Sequence, residues 1–109
     1  MSKRVLFVTR DLMFRSKLGA VVSAAGGEIT RDDAACDLAV IELEGGGAEE
    51  RIAALVGRGV RVLAFGSHVK AEELRRAREL GAEAVPNSQV EARLRELVGG
   101  GLDSGSFAV

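Results

Sequence analysis

The sequence predicts an α/β fold in which five short parallel strands alternate with helices in a doubly wound sheet. Three observations carry that prediction. Short apolar, β-branched runs recur along the chain with amphipathic segments between them. Glycine closes several of those segments, at Gly26-Gly27, Gly59 and Gly81. The run Leu38-Ala-Val-Ile41 is apolar on both alternating sides, which suits a strand buried in the middle of a parallel sheet.

The first strand is read over Arg4–Thr9, a short β-branched run. Asp11 can cap the helix that follows, where Leu12, Phe14, Leu18, Val21 and Val22 recur at helical spacing up to the stop at Gly26-Gly27. Glu28–Thr30 is a short second strand. The connector Arg31–Asp37 is shorter than the dozen residues of an ordinary helical crossover, so a loop or a single turn is expected there. Leu38–Leu43 is the third strand. Its apolar run breaks at Glu42, and Gly45-Gly46-Gly47 let the chain turn. Sites in open parallel sheets lie outside the carboxyl ends of the strands, which puts Glu42 where chemistry is expected.

The second helix is expected over Ala48–Arg58, with Ile52, Leu55 and Val56 inward. Val60–Phe65 is the fourth strand. The third helix, Lys70–Leu80, carries the stripe Leu74, Ala77 and Leu80; on its outer face Glu72 is set opposite Arg76 and Arg75 opposite Glu79. Glu83–Val85 is a fifth strand, broken by Pro86. Gln89–Val98 is the last helix, with Val90, Leu94 and Leu97 inward. One domain, 1–98, is followed by a Gly- and Ser-rich stretch, 99–109, expected to be a flexible tail. The strand order expected is the flavodoxin-like 2-1-3-4-5, with a reduced crossover between strands 2 and 3.

At 109 residues the chain can bury one core, and a net charge of −1 with 28% charged residues gives no nucleic-acid footprint and no attraction to an anionic membrane. The opening Met-Ser-Lys-Arg lacks the features of a signal peptide, and no run is long enough to span a bilayer; a cytoplasmic protein is expected. The one cysteine, Cys36, is expected to be a packing residue.

Familiar chemical motifs are missing. The turn after the first strand reads Thr9-Arg-Asp-Leu-Met-Phe, with no Gly-x-Gly-x-x-Gly, and there is no Gly-Lys-Ser/Thr. One histidine and one cysteine make no His/Cys metal site. Ser67-His68 are adjacent but have no evident orienting acid, so a hydrolase is the weakest reading. Gly45-Gly46-Gly47 before a helix could offer backbone amides to an anion, but Glu42, Glu44, Glu49 and Glu50 crowd the place and are expected to repel phosphate.

Three stretches together resemble the receiver domain of two-component response regulators. They are Val5-Leu-Phe-Val-Thr-Arg-Asp-Leu-Met-Phe-Arg-Ser-Lys-Leu18, Asp37-Leu-Ala-Val-Ile-Glu42, and Val62-Leu-Ala-Phe-Gly-Ser-His68 with Ala77-Arg-Glu-Leu-Gly-Ala-Glu-Ala-Val-Pro-Asn-Ser88. The departures are as informative. Where the resemblance implies a metal-binding acidic pair, this chain has Thr9 and Arg10, followed by Asp11. Glu42 stands for the phospho-acceptor aspartate, Gly66 with Ser67 for the switch hydroxyl, and Asn87 with Ser88 for the lysine.

A carboxylate attacking phosphorus needs a divalent cation to neutralise the charge of transfer, and Arg10 brings a charge but no coordination sites. Glu42 also reaches one methylene too far, a misplacement that can cost on the order of a hundredfold. A salt bridge between Arg10 and Glu42 is expected in place of metal and phosphoryl group, although Asp11, Glu42 and Glu44 could still form a weak cation site. The resemblance thus implies a degenerate, pseudo-receiver-like module of bacterial signalling. It is expected to be non-enzymatic, without cofactor or metal, and to work by binding a regulatory protein or a second copy of itself. The partner face is expected on the third helix, fifth strand and last helix, at Arg75, Glu79 and Arg95. The alternative is a binder of a small anionic ligand or nucleotide at the same sheet edge, using Thr9, Arg10, Ser67, His68 and Asn87.

Overall fold

Parallel pairing of five short strands places their carboxyl ends on one edge of the molecule. The structure, a computed structural model, describes residues 2–44 and 46–99. The elements run β1 (Arg4–Val8), α1 (Leu12–Ala24), β2 (Glu28–Thr30), β3 (Leu38–Glu42), α2 (Ala48–Gly57), β4 (Arg61–Gly66), α3 (Ala71–Glu79), β5 (Glu83–Pro86) and α4 (Asn87–Gly99). The sheet order is β2-β1-β3-β4-β5, as expected, and every pairing is parallel. β3 is central and its Leu38, Ala39, Val40 and Ile41 are buried, which accounts for its unbroken apolar run. The connector 31–37 holds no helix, so the crossover is reduced as its length required. The fifth strand runs one residue further than expected, because Pro86 takes the last position, where a missing N–H costs little. The last helix then begins at Asn87 rather than Gln89.

Alternation along each strand divides the core in two. On one face Val5, Phe7, Leu38, Val40, Leu63 and Phe65 meet α1 and α4. On the other Leu6, Ala39, Ile41, Val62, Ala64 and Ala84 meet α2 and α3, with Cys36 packed beside them. Gly27 is required where the chain enters β2, since a Cβ there would stand 2.8 Å from Val98 and 2.9 Å from Val22. Gly81 turns α3 into β5 at φ +104° and lies against Val56 in the same way.

Two further details differ from the sequence expectation. Leu12 opens α1 at the sheet edge and is 75% exposed, so it does not share the apolar stripe of Leu18, Val21 and Val22. Arg76 does not pair with Glu72; it reaches across to Glu49 on α2 with two bonds of 2.8 Å, and Arg75 takes both Glu72 and Glu79. The expected tail, apart from Gly99 at the end of α4, lies outside the described residues. Among those residues no helix is long and apolar enough to cross a membrane.

Candidate functional site

β1 and β3 are neighbours, so the residues just past their carboxyl ends converge. Thr9 Oγ1 donates to Glu42 Oε1 at 2.5 Å, and the Arg10 backbone N–H donates to the same oxygen at 3.3 Å. Thr9 Oγ1 in turn accepts from the Asp11 N–H at 3.0 Å. Asp11 caps α1, accepting from the Met13 and Phe14 N–H groups at 2.9 and 3.2 Å. Arg15, one turn into α1, donates to the Thr9 carbonyl at 3.2 Å. The carboxylate at the end of β3 therefore ties down the β1–α1 turn.

This arrangement corrects the expected Arg10–Glu42 salt bridge. No ion pair joins them among the described residues; only the Arg10 backbone contacts Glu42. The reason is reach. The Thr9 hydroxyl sits two bonds from the backbone beside Glu42, whereas the Arg10 side chain begins on an exposed turn and would give up rotamer freedom to fold back. Nor do Asp11, Glu42 and Glu44 assemble as a cation site: no group of three His, Cys, Asp or Glu side chains is placed to hold a metal among the described residues. Asp11 is taken by the helix cap, and Glu44 pairs with Lys70 at 3.4 Å.

The other expected pocket residues lie one or two strands away. Gly66 ends β4, in register with Pro86, and is buried. A Cβ on it would make only ordinary contact, at 3.5 Å from Leu43. Ser67 Oγ accepts from the Val69 N–H at 3.3 Å, which fixes the loop before α3. His68 and Asn87 are exposed. The structure joins Thr9, Arg10, Asp11 and Glu42 in one network and leaves Gly66, Ser67, His68 and Asn87 outside it.

A groove of about 660 Å³ opens beside that network, on the face of the sheet that α2 and α3 cover. Leu6 and Ile41 contribute to its floor, and Gly46, Gly47 and Ala48 form one wall. Arg10, Arg15, Arg31 and Arg51 all line it. The sequence reading missed Arg15, Arg31 and Arg51 as site residues. The available signal was the short connector: without a crossover helix, the sheet beside β1 is left open and Arg31 reaches its rim. Glu49 and Glu50, expected to repel an anion here, do not line the groove. Glu49 turns to Arg76, whose hydrogen bonds hold its carboxyl below the usual range.

The expected partner residues are exposed and lie on opposite layers. Arg75 and Glu79 pair with each other on α3 at 2.7 Å. Arg95 is on α4 and pairs with Glu91, which also meets Lys17 of α1 at 3.6 Å. Between those layers Arg93 reaches Glu83 at the start of β5 and Glu96 on its own helix. Donation to Glu83 first, and then to Glu96, raises the Arg93 pKa above its ordinary value. Burial likewise pushes the Cys36 thiol up, and its Sγ faces the Asp33 carbonyl at 3.7 Å.

No family model matches the chain, and no curated protein matches it. Solved structures do. A response regulator receiver domain protein (CheY-like) from Methanospirillum hungatei superposes with a TM-score of 0.74 at 16% identity, covering 94% of this chain and 95% of that one. The beryllofluoride-activated DrrB receiver domain gives 0.76 at 14% identity, over 94% and 99% of the two chains. The signal receiver domain of the putative response regulator NarL from Mycobacterium tuberculosis gives 0.69 at 20% identity, over 94% and 98%. The fold is therefore that of receiver domains, matched over nearly the whole length of both chains.

Proposed function

We propose that this receiver-fold chain is a non-enzymatic, pseudo-receiver-like signalling module that acts by binding a regulatory protein in the bacterial cytoplasm. One observation supports this above the others. Glu42, at the place of the phospho-acceptor, has its Oε1 engaged by the Thr9 hydroxyl and the Arg10 N–H. A carboxylate so held serves the β1–α1 turn, and Thr9 and Arg10 put a hydroxyl and a cation where two more carboxylates would be needed for Mg²⁺. The module holds one conformation, and its output is a surface. That surface is the α3–β5–α4 side, with Arg75 and Glu79 on one helix and Arg95 on the other.

Acetyl phosphate or beryllofluoride with Mg²⁺ is expected to leave the amide NMR spectrum unchanged. Saturable, Mg²⁺-dependent shifts centred on Glu42 would overturn the reading. Charge reversal at Arg75, Glu79 or Arg95 is expected to leave folding intact, because exposed substitutions usually cost within about 0.5 kcal/mol. The same changes weaken capture of the native partner if this surface is used; capture unaltered across all three places the interface elsewhere.

A further inference from the structure

We propose that the groove beside β1 and β3 is a binding site for a compact polyanion, a small molecule bearing a diphosphate or an equivalent cluster of phosphates. The proposal does not depend on the interaction reading above. It starts from the charges. Elsewhere in the described residues most cations near a carboxylate are paired: Lys17, Lys70, Arg75, Arg76, Arg93 and Arg95 each meet one. Among the same residues Arg10, Arg31 and Arg51 enter no ion pair, and Arg15 donates only to a carbonyl. All of these line the one groove. A chain with net charge −1 thus places four arginines that enter no ion pair among the described residues around a single concavity, while Arg58, Arg61 and Arg78, also outside any ion pair, lie apart from it.

The acids at the groove do not cancel this charge. Glu42 and Glu44 are the carboxylates that line it, against four arginines. Glu44 is paired with Lys70, and Glu42 is held from within by Thr9 and Arg10. The wall adds donors. Gly47 is the N-cap of α2 and has no side chain to satisfy the first-turn amides, and Gly46 and Gly47 are both at positive φ, 79° and 76°. Unsatisfied amides at a helix start carry partial positive charge and point at what lies before them. Guanidinium forks match phosphate oxygens two at a time, so several forks around one cavity favour a ligand with clustered phosphates. The volume, about 660 Å³, is that of a small-molecule site rather than an extended track for a peptide. The apolar floor at Leu6 and Ile41 leaves room for a non-polar part of the ligand.

Titration of the intact chain with inorganic pyrophosphate, free of divalent cation, followed by amide NMR, tests the site. Saturable shifts are expected at Gly46, Gly47, Ala48 and Arg51. Arg51→Gln and Arg31→Gln are each expected to weaken binding roughly tenfold, the loss of about 1.4 kcal/mol. Arg61→Gln, at the opposite edge of the sheet, is expected to stay within about twofold, as weak screened charge effects do. The three arginines are exposed, so their spectra should report intact folds; Arg10→Gln serves as a further variant if one does not. No saturable shift, equal weakening by Arg61→Gln, or tighter binding of an oligoglutamate peptide at these amides would each overturn the assignment.

Discussion

The face of the sheet under α1 and α4 and the face under α2 and α3 come from the same strands but are built differently. The first receives Val5, Phe7, Leu38, Val40, Leu63 and Phe65, large side chains under two helices of 13 residues each. Phe14 of α1 stacks tilted on Phe65 at 5.1 Å. The second receives Ala39, Ala64 and Ala84 among its strand residues and is covered by helices of 10 and 9 residues. Its cover stops short of β1 and β2. There the residues in register with Arg4 and Leu6 are Glu28 and Thr30, both polar, on a strand no helix reaches from that side. One face is a closed core. The other is a core that ends in a groove rimmed with arginine. The contrast shows how a shortened connection can turn part of a hydrophobic layer into solvent-facing surface without disturbing strand order.

The largest effect should separate the two faces directly. Leu94 is fully buried between α4 and the sheet. Leu94→Ala leaves a cavity among bulky neighbours and is expected to cost about 3–5 kcal/mol. Leu6 is also buried, at 7% exposure, but it borders the groove, where water and the arginine stems can fill the space. Leu6→Ala is expected to cost about 2 kcal/mol, the low end for such truncations. Urea unfolding of both variants measures the gap. Equal costs would mean the groove is as tightly packed as the core and would remove the comparison.

A smaller effect belongs to the seam between the faces. Thr9→Val removes the donor to Glu42 and the acceptor for Asp11 while keeping the shape of the side chain. Because Thr9 and Glu42 are only half-buried, water replaces part of the loss, and about 1 kcal/mol is expected. Glu42→Gln keeps an oxygen for the Thr9 hydroxyl and should cost less than Thr9→Val. The reverse ranking, by thermal or urea unfolding, would make the charge of Glu42 and not the hydrogen bond the important feature, and would reopen the case for an Arg10 partner.

Strand order, the short crossover and the helix stops were legible because each follows from local pattern. The unbroken apolar run of Leu38–Ile41 demanded a central strand, and seven residues between β2 and β3 left no room for a helix. Pairing of charges was not legible. Spacing on one helix put Arg76 opposite Glu72, but a single pair of that kind stabilises by only about 0.3–0.5 kcal/mol. A two-bond contact from α3 to Glu49 on α2 outcompetes it, and nothing local in the sequence says which helix lies alongside. The groove escaped for the same reason. Arg10 and Arg31 come from two connections and Arg15 and Arg51 from two helices, and only the folded chain shows that they share a cavity. The central acid was located correctly at the end of β3, yet its partner was misassigned because a hydroxyl on the adjacent residue lies nearer than a long cation.

The smallest effect concerns the tie that keeps α2 and α3 in place beside the groove. Arg76 grips Glu49 through Nε and a second guanidinium nitrogen, at 2.8 Å each, and those hydrogen bonds hold the Glu49 carboxyl below its ordinary pKa. A carboxylate whose pKa is lower in the folded chain stabilises the fold above its unfolded pKa and loses that contribution as pH falls through the folded one. The pair is exposed, so the loss at acid pH is small and screened by salt. Titration is the sensitive readout. In the parent protein the Glu49 side-chain resonance should titrate below the ordinary glutamate range, and Arg76→Ala should return it to that range while unfolding barely changes. A Glu49 that titrates in the ordinary glutamate range in the parent would show that the two helices on the open face are held by Ile52, Leu55, Leu74 and Ala77 alone, and would sharpen the difference from the closed face to one of apolar packing.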